Sequence, residues 1–271
     1  MIRLRFMGST ALLSLSAVLG ASLPALAAPA AAVFGGKPVG AGEIVAKSVA
    51  AVLDQAPGGT HLCTAVALGP RLMLTAAHCT DGGASAIRVI FATSLTDVPA
   101  ERLRSVTAIA RAGRTPEAKG SFAYNNPDDL ALIVLDAPAP AGTVLATLTD
   151  GDGTGAVHIA GYGATSDLRQ AGFGKSQLGF DRTLRAATTT LVEKGPALLA
   201  DQSGGAGMCT GDSGGPAFTL RGKSMTLAGI LIGVSSPRAV NDYCRGSAHF
   251  VSIARWRAWI AATAEKLGQP L

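Results

Sequence analysis

Apolar residues along this chain come in short runs, separated by glycine, proline and small polar residues. Runs of this length between turn-forming residues predict β-strands, since a helix needs a longer stretch at three- and four-residue spacing. One set comprises Ser48–Leu53, Leu62–Leu68, Arg71–Leu74, Ile87–Ala92 and Leu130–Leu135. A second comprises Val157–Ala160, Leu184–Leu191, Ala217–Leu220, Leu227–Val234 and Phe250–Ile253. The proline- and alanine-rich stretch Asp136–Gly142 lies between the sets and suits a linker. Many short strands in two groups predict barrels or a sandwich. After the second set the period changes. Ile253, Trp256, Trp259, Ile260, Ala264 and Leu267 predict an amphipathic helix over about 254–267 that docks on the second group. Both tryptophans then read as packing residues.

The start of the chain is of another kind. Arg3 and Arg5 precede an apolar core from Ala11 to Leu19, and Ala25-Leu26-Ala27 supplies the small residues a signal peptidase needs. Residues 1–27 are therefore expected to be a signal peptide, too short and too broken by Ser14, Ser16, Gly20 and Pro24 for a membrane anchor. That predicts a secreted or periplasmic protein with no membrane attachment after processing. The alanine-rich leader suggests a bacterial exporter.

Composition narrows the class. With 34 Gly, 14 Pro and 15% charged residues in 271, the chain reads as a loop-rich β globule. The formal charge is +5, of which Arg3 and Arg5 leave with the leader, and the remaining Lys and Arg are scattered. No cluster suits a polyanion, so no nucleic-acid partner is expected. Four cysteines in an exported chain predict two disulfides, with three pairings open. None has Cys-x-x-Cys spacing, so no metal is expected.

The chemistry concentrates in three short motifs. Gly211-Asp212-Ser213-Gly214-Gly215-Pro216 sets a serine among glycines, where backbone N–H groups can approach a substrate closely. A serine hydroxyl needs a base at neutral pH. Leu74-Thr75-Ala76-Ala77-His78-Cys79 offers an imidazole, and Asp129-Leu130-Ala131-Leu132 a carboxylate, with Asp128 as a weaker competitor. Each motif alone fits an ordinary turn or core position. Together, in the order His78, Asp129, Ser213, they resemble the chymotrypsin-like (trypsin-like) serine peptidases, and the resemblance spans about residues 33–265.

That resemblance implies two packed six-stranded antiparallel β-barrels with a C-terminal α-helix, an all-β fold in which the first barrel covers about 33–140 and the second about 145–253. It implies a Ser213–His78–Asp129 triad acting on a polypeptide through an acyl-enzyme, an oxyanion hole from the Gly211 and Ser213 amides, and no cofactor. It pairs Cys63 with Cys79 and Cys209 with Cys244. Val33-Phe34-Gly35-Gly36 is similar to the family's mature start, so a freed Val33 amine would pair with Asp212. Cleavage after Ala27 leaves a propeptide, Ala28–Ala32, for an activating protease; cleavage after Ala32 by signal peptidase leaves none. Gly207 matches the floor of the specificity pocket, Met208 lies beside it, and Val234 and Ala248 match its walls. A glycine floor and a valine wall imply small or medium apolar side chains before the scissile bond. Ile232-Gly233-Val234 departs from the family's Ser-Trp-Gly, whereas Gly161-Tyr162-Gly163 resembles its Gly-Trp-Gly turn. A secreted monomer is the default. The rival reading is a non-catalytic binding protein on the same fold.

Overall fold

In the computed structural model, residues 33–56, 58–113, 126–169, 176–236 and 243–271 are described. The leader 1–27 and the propeptide segment 28–32 lie outside them. Strands β1 (Val49–Ala56), β2 (Gly59–Ala67), β3 (Leu72–Thr75), β4 (Ile87–Ile90), β5 (Leu103–Arg111) and β6 (Ala131–Leu135) close into one barrel, in the order β1-β2-β3-β6-β5-β4. Strands β7 (Gly155–Gly161), β8 (Arg185–Lys194), β9 (Ala197–Asp201), β10 (Pro216–Arg221), β11 (Ser224–Ser235) and β12 (Ser247–Ser252) form the other. Its order is β8-β9-β12-β11-β10-β7, and the β7–β8 ladder from Gly161↔Arg185 to Gly155↔Leu191 closes the ring. The fold is thus two six-stranded antiparallel barrels followed by a helix, Ile253–Lys266.

The sequence explains why each strand forms. Strand β6, Ala-Leu-Ile-Val-Leu, is buried at all five positions, as expected of a continuous apolar run packed on both faces. It carries the residues that follow Asp129 straight into the first core. The linker hugs the first barrel through Ala139 N–H to Pro70 O (2.7 Å) and Ala146 N–H to Ala67 O (2.8 Å). It then adds Thr147–Leu148 as a short parallel strand beside β11. One apolar cluster runs continuously from the first barrel through Phe218, Leu227 and Ile230 of the second to the helix residues Ile253, Ile260 and Ala264. A separate cluster under the serine loop holds Val33, Met208, Val234, Ala248 and Phe250.

The helix bridges more than the sequence suggested. Its neighbours include β6 of the first barrel as well as β11. Trp256 packs against the shared core, and its indole N–H also donates to Pro127 O at 2.8 Å, two residues before Asp129. Burying the ring while satisfying its one polar atom is the usual economy of a tryptophan at an interface. No helix among the described residues is long and apolar enough to cross a membrane.

Candidate active site

His78 sits in a single 3-10 turn, Ala77–Thr80, directly after β3. Its neighbours Ala77 and Cys79 are fully buried while the imidazole is half-exposed, so the turn presents one ring from an otherwise closed surface. The Cys63–Cys79 disulfide ties the turn back to β2. Closing a 16-residue separation in this way contributes about 3 kcal/mol in the chain-entropy account. Arg111 holds the other end, donating from Nε to Thr80 Oγ1 at 2.7 Å and from its terminal nitrogen to Thr80 O.

Asp129 is 6% exposed and meets His78 twice. The His78 backbone N–H donates to Oδ1 at 2.9 Å, and Nδ1 lies 2.7 Å from Oδ2. An acceptor-only carboxylate at that distance requires the proton on Nδ1, which leaves Nε2 as the basic nitrogen. The competing Asp128 lies elsewhere, against Gly113, with its N–H on Asn126 Oδ1 at 3.1 Å.

Ser213 reaches this turn from the second barrel. Its carbonyl accepts the Thr64 N–H at 2.8 Å and touches Cys79 Sγ at 3.5 Å, a packing contact because a disulfide sulfur carries no proton. Gly214 explains how two barrels come so close. Its φ is +81°, and a Cβ there would run into Thr64 O and Thr75 Oγ1. Gly211, at φ +96°, is crowded on its open side by Gly163 Cα and Phe180. Among the described residues, the Gly211 and Ser213 amides donate to no protein acceptor, whereas their neighbours do: Asp212 N–H to Cys209 O at 3.0 Å and Gly214 N–H to Leu231 O at 2.7 Å.

Asp212 is fully buried. Its carboxylate accepts the Gly163 N–H at 2.7 Å and the Cys209 N–H at 2.8 Å, and neither Gly161 nor Gly163 has room for a side chain against it. Burial pushes its pKa up to about 7, outweighing the two amide bonds that pull it down. Val33 is wholly buried beside Met208 in the second core, and Phe34 bridges Gly207. In the continuous chain the Val33 nitrogen is a peptide nitrogen, not an amine.

The pocket residues named from the sequence also lie together. Gly207, Met208, Val234 and Ala248 are all buried, and Val234 pairs with Ala248 across the β11–β12 ladder. The Cys209–Cys244 disulfide spans the same gap. Two residues here carried no sequence signal. Thr64 bonds Ser213 through its amide, and its carbonyl accepts Thr75 Oγ1 at 2.7 Å, so it stitches the serine loop to the histidine strand. Gln202 lies buried beneath Gly207. Cys63, His78 and Cys79 offer donor atoms within 4.8 Å of one another, but both sulfurs are spent in the disulfide, which leaves one imidazole and no metal-binding set.

A family model described as Trypsin matches residues 34–260. Brachyurin from Leptuca pugilator is 30% identical over 172 residues, 58% of this chain and 70% of that protein. Ovochymase from Halocynthia roretzi is 26% identical over 220 residues, 75% of this chain and 13% of that much longer protein. The crystal structure of the scabies mite inactivated protease paralogue S-I1 superposes with a TM-score of 0.60 at 20% identity, covering 86% of this chain and 99% of the other. That likeness establishes the fold. All these relatives are eukaryotic, so the bacterial origin suggested by the leader gains nothing from them. The match across most of its length makes the chain a member of the trypsin family of serine proteases.

Proposed function

We propose that the chain is a secreted or periplasmic serine endopeptidase in which Ser213, His78 and Asp129 form the catalytic triad. The observation that carries this reading is the double engagement of His78 by Asp129, at 2.9 and 2.7 Å, beside the loop that bears Ser213. Ser213 Oγ attacks the carbonyl carbon of a peptide bond as His78 Nε2 takes its proton. The imidazolium is held by Asp129, and the negative charge moves to the carbonyl oxygen. The Gly211 and Ser213 amides receive that oxyanion; each such donor contributes about 3–4 kcal/mol to the transition state. His78 then protonates the leaving amine, and water, deprotonated by the same nitrogen, releases the acyl group from Ser213.

Processing that frees the Val33 amine gives Asp212 a cationic partner and orders the Gly211–Ser213 loop. An activating protease or signal peptidase supplies that cut. Gly207, Met208, Val234 and Ala248 line the pocket for the residue before the scissile bond, and their small or apolar character favours Ala, Val or Leu there. The enzyme works as a monomer. A non-catalytic binding role on this fold draws support from the likeness to an inactivated protease paralogue. It is disfavoured because His78, Asp129, Ser213, Gly211 and Asp212 are all present in this chain.

A fluorophosphonate tests the reading. The secreted protein should gain one adduct that maps to Ser213 and is lost in Ser213→Ala. A folded chain beginning at Val33 that takes no adduct would overturn it in favour of the binding role.

A further inference from the structure

Gln202 follows β9 and is 1% exposed, unusual for a long polar side chain. Its amide is spent on backbone. Oε1 accepts the Met208 N–H at 2.6 Å, while Nε2 donates to Met208 O at 2.9 Å and to Cys244 O at 2.7 Å. Its own backbone N–H donates to Gly246 O at 2.9 Å. The side chain therefore clasps the segment that leads into the serine loop to the segment that leads into β12. It crosses the gap that the Cys209–Cys244 disulfide also crosses.

The position it fills matters more than the clasp. A Cβ on Gly207 would lie 2.6 Å from Gln202 Cγ and closer still to its amide group. Position 207 is glycine because Gln202 already occupies the volume its side chain would take. Above it, Met208 is 0%, Val234 4% and Ala248 0% exposed, so little open depth remains between them.

We propose that Gln202 is the floor of the specificity pocket and restricts it to short, uncharged side chains. This rests on the peptidase reading and on the pocket placement given with it. An amide whose two hydrogens and oxygen are already bonded presents no charge, and a charged side chain buried against it would stay unpaired. The cost of rejecting a long side chain is steric. The same wall that leaves room for alanine leaves none for a group several atoms longer.

The test compares peptide libraries varied only at the residue before the cut, for the wild-type protein, Gln202→Ala, and Gln202→Ala combined with Gly207→Ser. Fluorophosphonate labelling counts the active sites in each. The wild type should cleave after Ala, Val or Leu far better than after Phe or Lys. Gln202→Ala should move the Phe-to-Ala ratio of kcat/KM upward by at least about tenfold, and Gly207→Ser should bring it part of the way back. This ratio is insensitive to a general loss of activity, which divides out. A Gln202→Ala enzyme that labels normally with an unchanged ratio would overturn the proposal and leave Gln202 a structural clasp. Should the variant fail to fold, wild-type preference for Lys, Arg or an aromatic residue overturns it equally. A wild-type protein with a free Val33 that takes no label overturns the peptidase reading and this proposal with it.

Discussion

The His78 backbone N–H and its ring Nδ1 address opposite oxygens of the Asp129 carboxylate, at 2.9 and 2.7 Å. One bond fixes where the turn sits and the other fixes how the ring is rotated.

Asp129→Asn should therefore damage catalysis much more than folding. An amide keeps one acceptor oxygen but presents N–H donors where the second oxygen stood, so it opposes a proton on Nδ1. On the proposed mechanism kcat should drop by about 10⁴-fold, the scale set by a tautomer error at such a site. Steady-state kinetics and thermal unfolding on the same sample give the check. A drop under tenfold would show that Asp129 does not set the tautomer.

Asp212 makes the continuous chain sensitive to pH. Its pKa in the fold is about 7, against an ordinary 3.8. Burial favours the protonated form, so this group's contribution to stability is complete below the unfolded value and is lost as pH rises through 7. A chain whose Val33 is still peptide-bonded should lose thermal stability from pH 5 to 8 relative to Asp212→Asn. A chain with a free Val33 amine should not, because the ion pair favours the charged carboxylate. Parallel melting curves for the continuous chain and its Asp212→Asn variant would contradict this account of the buried carboxylate.

Ten of the twelve barrel strands can be read from apolar runs, and the two that cannot show what such runs omit. Strand β5 interleaves Arg104, Ser105 and Thr107 with its apolar residues and is half-exposed along most of its length, so it has no continuous run. Strand β9 is five residues of Ala, Leu and Asp, with no β-branched side chain. It is held extended by pairing with β8 on one edge and β12 on the other. The triad candidates were legible because each sits in a local motif. Gln202 and Thr64 were not, since a glutamine or a threonine means something only once the fold has brought Met208, Cys244 or Ser213 beside it.

Trp256 links the end of the chain to the aspartate loop. Trp256→Phe keeps most of the packing but leaves the Pro127 carbonyl without the indole donor it has at 2.8 Å. The loss should be about 1 kcal/mol in denaturant unfolding. Turnover should slow by a few-fold as the Pro127–Asp129 segment loosens. Trp259→Phe, which packs on Trp256 edge to face at 5.7 Å, should cost stability without that kinetic effect. Equal kinetics in both variants would show that the indole N–H does not steady the loop.

Gly214 has little room to change. Its φ of +81° is one that L side chains rarely adopt, and its missing Cβ makes room for Thr64 O and Thr75 Oγ1 on the first barrel. Gly214→Ala adds backbone strain of about 1–3 kcal/mol to a steric clash. It must also push apart the pair that Thr64 N–H and Ser213 O make at 2.8 Å. Denaturant unfolding should show a loss above about 3 kcal/mol, and fluorophosphonate labelling of Ser213 should fall with it. Gly222→Ala is the control: its φ is +59°, also left-handed, but nothing lies within 4 Å of the added carbon. It should lose only the conformational part and label normally. Similar losses in the two variants would mean that the contact between the barrels at Gly214 contributes little, and that strain alone explains the glycine.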